Sequence, residues 1–128
     1  MPIRTIIDNT IGLIRTTATG RVTGDDLVTY YKRLRSHPDF RSNLNEIFDL
    51  TDVTDANVDA ADVRRLSGVT EEFTRHGVTV KVAIIAPRDL EFGLSRMYEM
   101  LQDQSMNDVR VFRDRADAEG WIFAPRDP

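Results

Sequence analysis

Cysteine is absent from the 128 residues. Its absence excludes disulfides, thiolate metal sites and cysteine nucleophiles at once, and it suits a reducing compartment. Positive charge is also short: the net charge of −4 offers no general attraction to nucleic acid or anionic lipid. The opening MPIRTIIDNT holds no apolar core of signal-peptide or anchor length, and no later run is long enough to span a bilayer. A cytoplasmic protein without an integral membrane segment is expected. Internal repeats, low-complexity runs and linkers are missing too. Only two histidines occur. His37 precedes a proline in a loop, His76 stands at a helix end, and neither has a serine or carboxylate at a triad-like spacing. The two glycines of GRVTG, Gly20 and Gly24, do not match a phosphate-cradling loop.

What is present is ordinary for one soluble domain: 41% apolar and 30% charged residues. A single domain over residues 1–128 is expected. Ile3 to Ile7 and Ile11 to Thr19 read as strands around the turn residues Asp8-Asn9-Thr10, forming an antiparallel hairpin that Gly20 ends. Thr23, with Asp26 three residues on, predicts the start of a helix whose face carries Leu27, Tyr31 and Leu34, with Tyr30 at its edge. That helix stops before His37-Pro38. Asn45 to Leu50 predicts a central strand, and Thr51 to Asp55 an acidic turn. A second helix from near Asp59 carries Val63, Leu66, Val69, Thr70 and Phe73, closed by Arg75-His76-Gly77.

The clearest signal lies further on. VKVAIIAP, RDLEFGLSRMYEMLQ, VRVF and RDRADAEGWI alternate strand, helix, strand, helix. Val78 to Ala86, interrupted only by Thr79 and Lys81, reads as a strand buried on both faces. Leu90, Leu94, Met97 and Leu101 predict the inner stripe of the third helix. Asp114 predicts the N-cap of the last, which packs through Ala118, Trp121 and Ile122. The fold class is α/β in the order ββαβαβαβα: a mixed, mostly parallel sheet of about five strands flanked by about four helices, with the first strand antiparallel at one edge.

The strand ending FDLTDV, the VAIIAP strand before FGLSRMYEML, and the closing VRVFRDRADAEGWI resemble the SpoIIAA-like proteins of the STAS-domain superfamily, most clearly from Asn45 onward. That superfamily includes anti-sigma-factor antagonists and cytosolic domains of anion transporters. The resemblance implies a small STAS-like domain that binds or regulates and is not an enzyme. A subset of SpoIIAA-like proteins compared with Sec14-type lipid-binding domains implies an apolar ligand as the alternative. Regulatory members carry a phosphorylated serine where this chain has Asn57, Val58 and Asp59. Thr51 and Thr54 are the nearby candidate phospho-acceptors, although Asp52, Asp55 and Asp59 would repel a phosphate.

Several residues are singled out from the pattern itself. Ligands of open α/β sheets sit beyond the carboxyl ends of the strands, which collects Asp49, Thr51, Asp52, Arg88 and Arg113 on one rim. The two arginines either hold an anion there or pair with neighbouring aspartates. The acidic run Asp49, Asp52, Asp55, Asp59, Asp62 lacks the glycine and glutamate of a calcium loop, so no metal or cofactor is expected. On the third helix Phe92 falls opposite Leu90, Leu94 and Leu101. With Arg96, Tyr98 and Met100 it outlines a surface for a protein partner or a second copy, unless the His37 to Leu44 loop covers it. Two functions are therefore expected to compete: a module that contacts a protein partner or a second copy as a homodimer, and a binder of a small apolar ligand or lipid between helices and sheet.

Overall fold

Successive β-α-β units that each step one strand further along a sheet place their crossover helices on the same face. The computed structural model, which describes residues 2–72, 79–103 and 106–125, follows this rule. The strands are β1 (Ile3–Asp8), β2 (Leu13–Thr23), β3 (Asn45–Asn57), β4 (Val80–Ile85) and β5 (Asn107–Phe112), ordered β1-β2-β3-β4-β5 across one sheet. β1 runs antiparallel to β2, and every other pairing is parallel. The helices are α1 (Gly24–Leu34), α2 (Ala60–Glu71), α3 (Asp89–Met100) and α4 (Arg115–Ile122). Residues of α1, α2 and α3 share one apolar cluster with Ile14, Phe48, Val82, Ile84 and Val109. On the other face α4 covers Leu13, Ile47, Ala83 and Ile85 through Ala118 and Ile122. Strand alternation sorts these residues, since neighbours along a strand face opposite sides.

The short-range signals match the elements. Thr23 and Asp26 form a reciprocal capping box at α1, Asp59 and Asp62 form one at α2, and Asp114 caps α4. Phe73, Arg75, His76, Gly77 and Val78 lie outside the described residues.

Two strands run further than their propensities suggest. Gly20 does not end β2; it takes a positive φ of 69° inside the strand, beside a shift in register with β3. Bulges of this kind increase strand twist without ending the pairing. β3 likewise continues through the expected acidic turn, because Val53 and Ala56 pair with Gly20 and Val22. β3 bonds to β4 only as far as Asp49, so beyond it β2 and β3 form a two-stranded ribbon.

α1 and α2 meet where only a glycine fits. A Cβ on Gly24 would collide with the carboxylate of Asp62, whose oxygen accepts from the Asp59 amide in the α2 capping box. Gly24→Ala is therefore expected to cost about 1–2 kcal/mol, the usual worth of a helix cap. In an Asp62→Ala background the same change should cost much less, as read from urea unfolding midpoints. Equal costs in both backgrounds would rule out the collision as the cause.

Candidate functional site

The expected rim does not converge on one site. Asp49 faces α4, where its carboxylate lies 2.6 Å from Arg115 and also accepts from the Thr51 amide and hydroxyl. Asp52 is exposed on the ribbon. Arg88 donates to the Val53 carbonyl at 2.9 Å and lies 3.2 Å from Glu91. Arg113 donates to Asp89 at 2.8 Å and to the Pro87 carbonyl at 3.0 Å. Strand alternation separates the members, and local pairing occupies both arginines. Thr51 and Thr54 sit on β3, ahead of the Asp59 cap, so neither stands at a helix N-terminus. Asp55 lies 3.7 Å from Arg21, while Asp59 and Asp62 are engaged in capping.

α3 is rotated from its expected register. Its buried positions are Glu91, Ser95 and Tyr98, whereas Leu90 and Leu101 are 54% and 44% exposed. The Leu90, Leu94, Met97, Leu101 stripe consequently forms a flank of the helix and not its sheet-facing side. Tyr98 belongs to the core, which removes it from the expected interaction surface. Phe92 is half-buried against the same core, and the Arg113 guanidinium lies 3.9 Å from its ring centre. An arginine from just past the end of β5 thus covers the ring. Arg96 and Met100 remain exposed, Arg96 paired with Glu99 at 2.8 Å.

The rotation opens an apolar cavity at the carboxyl ends of β3 and β4, the side of the sheet from which a ligand was expected. Its volume is about 80 Å³. The ribbon supplies Val22, Leu50, Val53 and Ala56, α2 supplies Val63 and Leu66, and α3 supplies Glu91, Leu94 and Ser95. Tyr31 and Tyr98 close its inner end and also line a second cavity of about 60 Å³, which reaches Glu46 and Asn107. The two tyrosines therefore form a partition between an apolar chamber and a more polar one.

Glu46 is the centre of the polar side. It is 4% exposed, on the helix-covered face of β3. Its Oε2 accepts from Thr16 at 2.7 Å and Tyr30 at 2.9 Å, and its Oε1 accepts from Tyr31 at 2.8 Å. Burial pushes the carboxyl above its ordinary range, although the three hydroxyls pull the other way. Burial and the nearby Glu46 raise both tyrosines, so they stay protonated donors. Tyr98 donates to Thr70 at 2.8 Å. With its lone pairs committed to three hydroxyls, Glu46 holds β2, β3 and α1 together rather than facing a substrate.

Of the three buried acids among the described residues, Glu46, Asp49 and Glu91, sequence reasoning found only Asp49. A signal existed for each of the other two: Glu46 alternates with Phe48 in a strand read as central, and Glu91 stands four residues before Ser95 and seven before Tyr98.

Among the described residues no helix is long and apolar enough to cross a membrane. Neither a protein-family model nor a curated protein matches the sequence. A solved structure does: an uncharacterised protein of the DUF3478 family from Shewanella loihica PV-4, described as having a SpoIIAA-like fold, superimposes with a TM-score of 0.60 at 21% identity, covering 94% of this chain and 93% of its own. Together with the five-stranded mixed sheet and its four helices, this likeness shows that the chain has a SpoIIAA-like fold.

Proposed function

We propose that this protein is a non-catalytic binding module that takes a small apolar ligand into the cavity between its sheet and helices α1 to α3. The observation that carries the reading is the cavity itself, apolar on nearly every wall. An apolar recess of about 80 Å³ that is partly open to solvent favours an apolar occupant over water. Water gains little there, since few walls offer it a polar partner. At about half the volume of an engineered cavity that takes up benzene, the space encloses part of a small hydrocarbon, and its open side leaves room for the rest. A longer chain would need α3 to shift, and the exposed Leu90 and Leu101 on its flank are apolar surface along which a lipid tail could lie.

This reading is favoured over a protein-contact module because the aromatic anchor expected for a partner, Phe92, is engaged with Arg113. Catalysis has less support. The buried acid with a raised pKa, Glu46, already accepts from three neighbouring hydroxyls. No cofactor enters the reading, and the cysteine-free chain suits a cytoplasmic setting.

Nuclear magnetic resonance titration with cyclohexane tests it. Signals of Val53, Leu66 and Leu94 should shift saturably. Leu94→Phe, which places a ring in the cavity, should weaken the probe at least about tenfold, equivalent to ~1.4 kcal/mol. No saturable shift in the wild type would end the proposal.

A further inference from the structure

Glu91 is 2% exposed and lines the apolar cavity, yet neither of its carboxylate oxygens has a hydrogen-bond donor. Arg88 is close, with Nε 3.2 Å from Oε1, but the alignment makes an ion pair without a hydrogen bond, and Arg88 Nη1 is already donating to Val53. The charge of Glu91 is therefore offset while its lone pairs are unmet. Its place in the first turn of α3 adds the favourable end of the helix dipole. Glu46 offers the internal comparison: equally buried, it is satisfied by three hydroxyls. A buried carboxylate deprived of donors is costly. In this cavity the missing donor has one direction from which to come.

We infer that Glu91 is the specificity-determining residue of the cavity, accepting a hydrogen bond from the ammonium or hydroxyl head of an otherwise apolar ligand and turning away a carboxylate head on the same chain. The inference rests on the binding reading and adds the ligand's chemistry to it. The apolar walls take the hydrocarbon body. Glu91 takes one donor, and an anionic head would meet a like charge with no donor of its own.

The experiment titrates the whole protein with pentane, pentylamine, 1-pentanol and pentanoate, followed by the signals of Val53, Leu66 and Leu94. In the wild type the amine, the alcohol or both should bind about tenfold or more tighter than pentane, the usual effect of one hydrogen bond to a charged group. Pentanoate should bind weakest. An amine well ahead of the alcohol identifies an ammonium head; an alcohol equal to or ahead of it identifies a hydroxyl. Glu91→Gln should bring pentanoate to within a few-fold of the alcohol and remove any lead of the amine. If pentane binds but all four probes fall within about threefold, or pentanoate leads, the role of Glu91 is refuted while the apolar cavity stands. If none binds, both readings fall. Should Glu91→Gln fail to fold, the wild-type ranking still decides.

Discussion

Replacing Glu46 with alanine is expected to lower the free energy of unfolding by about 3–5 kcal/mol, read from urea midpoints near neutral pH. The change removes the acceptor shared by Thr16, Tyr30 and Tyr31, whose hydroxyls lie too deep for water to replace it freely. Each buried group left unmatched costs about 1–3 kcal/mol, and the space left behind adds to it. The aromatic packing around the site magnifies the effect. The Tyr30 ring meets Tyr31 at 4.8 Å and Phe48 at 5.7 Å, both edge-on, so a shift of one ring disturbs the others. Tyr31→Phe alone should cost less, about 1–2 kcal/mol, and the double variant less than the sum, because both changes remove the same bond. Strict additivity would mean that the network does not act as a unit.

The same carboxyl sets a pH dependence. Its pKa is raised in the folded protein from an ordinary value of 4.5, so between that value and the folded pKa the native state holds a proton that the unfolded chain releases. The stability linked to it is fully present below about pH 4.5 and is lost as pH rises through the folded pKa, at no more than about 1.4 kcal/mol per pH unit. Glu46→Gln keeps the shape and an acceptor but cannot titrate. Subtracting its pH profile from that of the wild type cancels the shared groups and should leave this falling limb. A flat difference curve would show that Glu46 folds as an ordinary carboxylate.

The sequence made the caps legible because each is a contact within three residues, as at Thr23 with Asp26 or Asp59 with Asp62. The β-α order was legible for a related reason: apolar runs such as VKVAIIAP mark doubly covered strands wherever they occur. The register of α3 was not. Counting leucines assumes that the most apolar stripe faces the sheet, but here the sheet-facing positions are Glu91, Ser95 and Tyr98. A helix can turn an acid inward when an arginine such as Arg88 offsets its charge, and no local pattern announces that pairing. Glu46 was hidden by distance. Its donors Thr16, Tyr30 and Tyr31 lie 30, 16 and 15 residues away in the chain, and only the β2-β3 register with the α1 crossover brings them together. The length of β3 escaped notice because Thr-Asp-Val-Thr-Asp has turn propensity, which pairing with β2 overrides.

Lys81→Met is expected to cost about 2–3 kcal/mol and to release α4 before the rest of the fold opens. α4 has eight residues, too few to hold a helix without tertiary support. It is the sole helix on its face of the sheet among the described residues. Lys81 reaches that face from the start of β4 and is 7% exposed. Its ammonium donates to the carbonyls of Trp121 at 3.0 Å and Ala124 at 3.1 Å, at the carboxyl end of α4 where the regular helical bonds run out. It also lies 5.1 Å from the centre of the Trp121 ring, which Arg110 approaches to 4.9 Å. Methionine preserves the aliphatic stem and removes the donor and the charge, so the loss isolates the bonds to charge, about 1.5–3 kcal/mol. Arg115 to Asp49 and Arg15 to Glu119 would still tether the helix, but both arginines are exposed to competing water. Amide exchange in α4 should therefore accelerate more than exchange in β4, and Trp121 fluorescence should change at a lower urea concentration than the overall circular dichroism. A loss below about 0.5 kcal/mol with α4 amides still protected would mean that apolar packing of Ala118 and Ile122 alone seats the helix.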